Sequence, residues 1–316
     1  MNEKLHHTIH LIRRGLYHLL RGTWPERLRA RWQPYVLRQR RVWWESQIGQ
    51  RSEFQFCLRP GVRMWLHLDS QLARLIYCED FEWQEQRFIL KFLRQGDVFV
   101  DIGANIGLFS LIAARRVGKS GHVYTFEPSS RTFRRLQANI ELNRLNNVSC
   151  YQLALSDSVA QLNLNVSLDG YDAWNSMAQP FEGNSFTVEK VNAVTWNEFA
   201  SPHGLVGRVV MMKIDVEGWE SRVLLGGREW LSREDAPVLQ VEFTEQAAES
   251  AGSSCSQLYC LLEELGYRMF VYNVDTNTVV PDPLRTSYPY LNLIAAKHPE
   301  AIIARLTSRS NFWRWL

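Results

Sequence analysis

Apolar positions recur along this chain with two periods, and their order suggests the architecture. Val98-Phe-Val-Asp-Ile102 is a short apolar, β-branched run, the pattern of a strand buried on both faces. It gives way at Asp101-Ile-Gly103-Ala-Asn105-Ile-Gly107 to helical spacing of Leu108, Leu111, Ile112 and Val117. Further strands are expected at residues 122–126, 148–155, 209–214, 237–243, 267–273 and 291–296. Helices are expected at 130–142, from Glu217 to Leu225, and at 256–265. Such alternation predicts an α/β, doubly wound and mostly parallel sheet, with ligands at the carboxyl ends of its strands. Residues 162–166 and 185–194 suggest an antiparallel pair, separated by the polar and aromatic loop 169–176. Upstream, residues 54–58 and 63–68 alternate around Pro60-Gly61 as a hairpin, and 81–93 reads as a helix ended by Gln95-Gly96.

The first fifty residues have a different pattern. Leu5, Ile9, Ile12, Leu16, Leu19 and Leu20 form one helical stripe, and the other faces carry His6, His7, His10, Arg13, Arg14, His18 and Arg21. A basic amphipathic helix of this kind can lie on an anionic membrane, dock on a partner, or pack on its own protein. Pro25 and Pro34 are expected to break the pattern, and 24–44 mixes four tryptophans with arginines. His6 and His10 are spaced for a metal but lack a third ligand nearby.

The chemistry gathers at the predicted strand ends. A strand entering a helix through a glycine-rich turn can place N–H groups and a positive helix end beside a ligand. Glu127 closes the next strand about twenty residues past Gly107, where a doubly wound fold places the acid that takes a ribose diol. Asp101, Glu127, Asp157, Asp215, Glu217 and Glu242 all fall at or near that one expected edge. The bland alternatives are a tight turn with no ligand, and acids that merely favour a helix start at Asp215 and Glu217. Lys213 sits where it could pair with one of these acids.

Composition narrows the class. With 46% hydrophobic and 22% charged residues in 316, this is an ordinary globular chain of one large core or a core plus an extension. Residues 1–50 hold ten cationic side chains against three acids, a net +7, while the whole chain carries only +3. The body is therefore slightly acidic, which argues against a basic nucleic-acid cleft. Five cysteines without a C-x-x-C pair fit a reducing, cytoplasmic setting better than a disulfide framework or a zinc site. No run of about eighteen apolar residues marks a membrane span.

The Asp-x-Gly-x-x-x-Gly spacing resembles the first motif of class I S-adenosylmethionine (SAM) methyltransferases. Joined in order to Phe126-Glu-Pro128, Ala154-Leu-Ser-Asp157 and Lys213-Ile-Asp-Val-Glu-Gly-Trp-Glu220, it makes the chain resemble the FkbM family of those enzymes over residues 81–297. The resemblance implies a seven-stranded sheet and SAM as cofactor. Asp101, Gly103, Asn105 and Gly107 would line its methionine end, Glu127 its ribose, and Asp157 its adenine amine; Asp215 would approach the methyl. Asp215, Glu217 and Glu242 are the candidate bases, left unranked. No metal is assigned, although two acids plus an Asn could hold a divalent ion. The family implies O-methylation of a sugar or small-molecule hydroxyl, with N- or protein methylation, a non-catalytic SAM-binding scaffold and a nicotinamide oxidoreductase as alternatives. The expected organisation is an extension at 1–50, hairpin and helix at 51–95, the SAM-binding domain at 96–298 and a tail at 299–316. Peripheral contact with the inner membrane face through 1–50 is a further expectation, and no nucleic-acid partner is expected.

Overall fold

A computed structural model of the protein describes residues 26–168, 170, 175–178 and 185–308, with side chains described from residue 33 onward. The stripe from Leu5 to Leu20 lies outside them. The chain forms two compact units that divide between Phe81 and Glu82.

The first unit contains α1 (Glu26–Gln47), β1 (Glu53–Arg59), β2 (Val62–His67) and α2 (Gln71–Cys78). The hairpin is as the alternation suggested, with Phe54, Phe56, Met64 and Leu66 buried on one face. Trp43, Trp44, Phe54 and Tyr77 pack ring against ring, and Arg40 donates to the Tyr77 carbonyl at 3.1 Å. This packing explains a correction: α1 runs through Pro34 rather than stopping there. An internal proline removes one helix hydrogen bond, but aromatic burial further along holds the helix together.

The second unit is built on an eight-stranded sheet and a small three-stranded one. Its elements are α3 (Trp83–Phe92), β3 (Val98–Ile102), α4 (Leu108–Val117), β4 (His122–Phe126), α5 (Ser130–Leu142), β5 (Val148–Tyr151), β6 (Ala154–Leu155), β7 (Ala160–Ser167), β8 (Phe186–Val194), α6 (Trp196–Ala200), β9 (Val209–Ile214), α7 (Glu220–Gly226), α8 (Arg228–Leu231), β10 (Val238–Phe243), α9 (Glu245–Ser250), α10 (Cys255–Glu264), β11 (Arg268–Asn273), β12 (Thr278–Pro281), β13 (Leu291–Ala296) and α11 (Pro299–Thr307). The main sheet runs β12-β11-β13-β10-β9-β3-β4-β5. β5, β4, β3, β9 and β10 are parallel, and β13 enters antiparallel between β10 and β11.

Alternation along β3 shows why the fold is doubly wound. Val98, Val100 and Ile102 join one core with Leu258 and Leu262 of α10. Asp101 points the other way and accepts a hydrogen bond from Ser110 of α4 at 2.5 Å. Helices therefore cover both faces, and β3 is buried along its whole length.

Three expectations need correcting. The sheet has eight strands rather than seven: β12 pairs antiparallel with β11. It is short and ends in proline, and the turn before it is closed by Asn273, whose Oδ1 accepts from the N–H groups of Asp275 and Thr276. The strand expected at 148–155 is two strands, because β5 belongs to the main sheet and β6 pairs with β8 in the small one. Helix α3, grouped above with the hairpin, belongs to the second unit; Phe88 packs edge-on against Tyr272 at 5.3 Å.

Candidate functional site

The turn after β3 is shaped by close backbone approach. A Cβ on Gly103 would lie 1.7 Å from the Asp215 carbonyl oxygen, and its φ of +80° is left-handed. Glycine is therefore demanded by the neighbouring strand end, before any ligand is considered. The N–H groups of this turn are already used. Gly103 and Ala104 donate to the Phe126 carbonyl, Asn105 to Glu127, Ile106 to the Asn105 side chain and Gly107 to Ala104. The turn thus offers a ligand little in the way of free donors, contrary to the simple expectation from strand–turn–helix geometry.

What this edge offers instead is acceptors. Glu127 is buried and receives Asn105 N–H at 3.0 Å and Ser129 N–H at 2.9 Å, one on each carboxylate oxygen. Asp101 is 1% exposed; its Oδ2 receives Ser110, while Oδ1 has no hydrogen-bond partner. Asp157 follows β6 and accepts from the Ser156 and Ser158 hydroxyls and from Arg222 at 2.6 Å. These contacts draw its pKa down despite partial burial.

The other half of the edge is crowded. Lys213 leaves β9 with its side chain 2% exposed, donates to Asp215, and lies 4.5 Å from the Phe109 ring centre. Burial alone would lower its pKa, but the carboxyls of Asp215, Glu82 and Asp101 outweigh that and raise it. The loop that follows takes Glu217 and Gly218 through left-handed conformations, φ +53° and +98°. Left-handed backbone at a residue such as Glu217 is strained, a feature concentrated at functional sites. Ser176, from the far end of the 169–176 loop, donates to the Glu217 carbonyl at 2.5 Å. Asp215, Glu217 and Glu242 converge, with one carboxylate oxygen from each lying within 4.8 Å of the others. Burial first, then mutual repulsion, raises the pKa of Glu217 and of Glu242 well above the usual range.

Two acids outside the expected set belong here. Glu220 caps its own loop, accepting from Val216 and Gly218 N–H, and burial lifts its pKa to about 7. Glu82, ahead of α3, has a φ of +44° and accepts from the Tyr290 hydroxyl. Burial lifts its pKa to about 7 as well, opposed by Lys213 and reinforced by Asp215. A left-handed acid before a helix has no periodic signature, so only three-dimensional placement reveals Glu82. The structure thus brings Asp101, Asp215, Glu217 and Glu242 to one edge with Lys213, sets Gly103, Asn105, Gly107 and Glu127 beside them, and leaves Asp157 with Arg222.

Comparison with known families meets this geometry. The model of the methyltransferase FkbM domain matches residues 101–269, more than half of the chain. The chain belongs to the FkbM methyltransferase family. Its match begins at Asp101 and ends in β11, so it contains every acid of the edge except Glu82. No curated protein matches the chain. Among solved structures, similarity is found to a SAM-dependent O-methyltransferase of Thermotoga maritima, at 16% identity over 68% of this chain and 64% of that one, with a TM-score of 0.38. This chain thus spans under two thirds of the Thermotoga protein. TYW2 of M. jannaschii, in complex with AdoMet, is similar at 15% identity over 77% and 84%, with a TM-score of 0.40. Fibrillarin of Aeropyrum pernix, with natively bound S-adenosyl-L-methionine, gives 16%, 68%, 76% and 0.36. Among the described residues, no helix is long and apolar enough to cross a membrane.

Proposed function

We infer that this FkbM-family protein is a SAM-dependent methyltransferase that methylates a hydroxyl of a sugar or a comparable polyhydroxylated small molecule. The observation that carries the reading is the acid-rich chemistry of the edge: three of its carboxyls lie together, near a turn whose N–H groups are used internally. A dinucleotide's phosphates would find few donors and several negative charges there. SAM fits, because it presents an ammonium, a sulfonium and two ribose hydroxyls to such a surface. Asp101 has an unpartnered buried oxygen for the methionine end, and Glu127, at the end of β4, would face the ribose. The turn of Gly103, Asn105 and Gly107 would lie against the cofactor, with Asp157 further along towards the adenine.

When bound, SAM would supply an electrophilic methyl group carried on a sulfonium leaving group. The protein has to hold the acceptor oxygen in line and receive its proton. Asp215, Glu217 and Glu242 are placed for the second task. A carboxylate whose pKa has been raised is the stronger base once ionised, which favours Glu217 or Glu242 over an ordinary surface acid. An acid-lined site also repels anionic acceptors, which favours a neutral polyol. The test is mass spectrometry of glycans and small metabolites from cells with and without the gene. Loss of O-linked methyl groups supports the reading; loss confined to N-methyl groups overturns the acceptor class.

The membrane role of the basic segment remains part of the proposal. Each Lys or Arg near an anionic surface contributes about 1 kcal/mol. Sedimentation with anionic liposomes at low salt should capture the full chain more strongly than a chain beginning at Glu26. That cut leaves intact the α1 packing of Trp44, which a cut at Arg51 would destroy. Equal capture would remove the anchor.

A further inference from the structure

The crowded half of the edge has more negative groups than its own residues can balance. Among the described residues, Lys213 is the cation seen to pair with the cluster, and it is engaged by one oxygen of Asp215. Glu242 is 5% exposed; its Oε1 receives Thr244 at 3.1 Å, while Oε2 has no hydrogen bond. A second observation comes from a neighbouring strand. Asn292 of β13 is the direct partner of Glu242 across the antiparallel ladder, so the two side chains stand on the same face of the sheet. Asn292 is 7% exposed, and neither atom of its amide has a hydrogen bond of normal geometry, although Glu85 lies nearby. An unused amide oxygen beside an unused carboxylate oxygen, both removed from water, is costly unless something binds them.

We propose that Asp215, Glu217 and Glu242, with the Asn292 amide oxygen alongside, hold a hard divalent cation: magnesium, manganese or calcium. The donors are all oxygens, the set such ions prefer, and there is no sulfur or imidazole to favour zinc or copper. One oxygen from each acid lies within 4.8 Å of the others. Modest side-chain rotations would bring all three oxygens onto one ion, at about 2.4 Å for calcium or about 2.1 Å for magnesium. Two positive charges also answer the repulsion that Lys213 alone leaves. In the methyl-transfer reading, on which this role depends, the ion would hold the acceptor hydroxyl beside the methyl and make its proton easier to remove. Binding of the ion itself depends on no acceptor.

The test uses the full chain, stripped with chelator and dialysed. Magnesium, manganese and calcium are each titrated by calorimetry, and manganese also by the loss of its free-ion electron paramagnetic resonance signal. One ion per chain is expected, with at least tenfold weaker binding in Glu242→Gln and a smaller loss in Asn292→Ala. Glu249→Gln, an exposed acid on α9, should bind as the parent does. If Glu242→Gln does not fold by circular dichroism, Glu217→Gln serves in its place. Absence of saturable binding by all three ions overturns the site, as does binding indifferent to both variants. SAM titrated into the same samples separates the two claims: cofactor binding without an ion leaves the methyltransferase reading intact and removes this one.

Discussion

The two halves of the sheet's carboxyl edge solve the burial of acids in opposite ways. At the β3–β4 end, Glu127 is buried with a backbone N–H on each oxygen, so its charge is stabilised by the fold itself. At the β9–β10 end, Glu217 and Glu242 are held beside Asp215, with pKa values driven up by burial and repulsion. One half is complete without a ligand; the other is stable only with protons, a cation or a hydrogen-donating guest. Asp101 lies between the two, one oxygen satisfied and one not. On the function proposed above, the settled end would take the cofactor and the unsettled end the acceptor.

The largest expected effect is on turnover at the unsettled end. Among Asp215→Asn, Glu217→Gln and Glu242→Gln, the variant that removes the base should lose about 10²–10⁴-fold in kcat. If the three acids act as a unit on an ion, all should fall together and their losses should not multiply. Near-normal rates in all three would erase the division of labour.

Next comes the glycine that joins the halves. Gly103→Ala should destabilise the fold by more than about 3 kcal/mol, since its Cβ would meet the Asp215 carbonyl at 1.7 Å. Denaturant melts measure this. A Gly103→Ala protein of normal stability but without SAM affinity would show that the glycine serves the cofactor alone, as the sequence first suggests.

A smaller effect sharpens the electrostatic contrast. Glu82 and Glu220 have pKa values lifted to about 7 in the folded chain, against about 4.3 when unfolded. Lys213, Asp215, Glu85 and Tyr290 face Glu82; Asp215 and the N–H groups of Val216 and Gly218 face Glu220. The folded state holds these protons more tightly, so their contribution is full below about pH 4.3 and is lost as pH rises through about 7. Chelator-treated protein should therefore melt about 3–6 °C lower at pH 8 than at pH 5.5. Glu82→Gln should flatten that slope, and an unchanged slope would place the titration elsewhere.

Much of this was legible in the sequence where local pattern determines structure. The β3 run is continuous because both faces are buried, and α5 was visible from its period and from Pro128-Ser129 ahead of it. The acids of the motifs were legible because each lies within three residues of a strand's carboxyl end. Tyr290 and Asn292 were not, because their proximity to Glu242 depends on β13 entering between β10 and β11, which no local spacing encodes, and Glu82 reaches the edge through the Tyr290 hydroxyl. A second demand on Gly103 was hidden for a related reason: the atom that forbids a side chain belongs to Asp215, in another strand's loop. Asp157 was placed with the cofactor by motif order, and its ion pair with Arg222 depends on how α7 packs beside β6.

The division of the edge is tested most directly by titrating SAM into three proteins: the parent chain, Glu127→Ala and Glu242→Gln. The parent should bind one equivalent. Glu127→Ala, with its fold verified by circular dichroism, should bind about thirty- to a hundredfold more weakly, for the loss of charge-assisted bonds worth about 2–3 kcal/mol. Glu242→Gln should stay within about threefold of the parent. Failure of the parent to bind SAM, or equal losses in the two variants, would contradict the account.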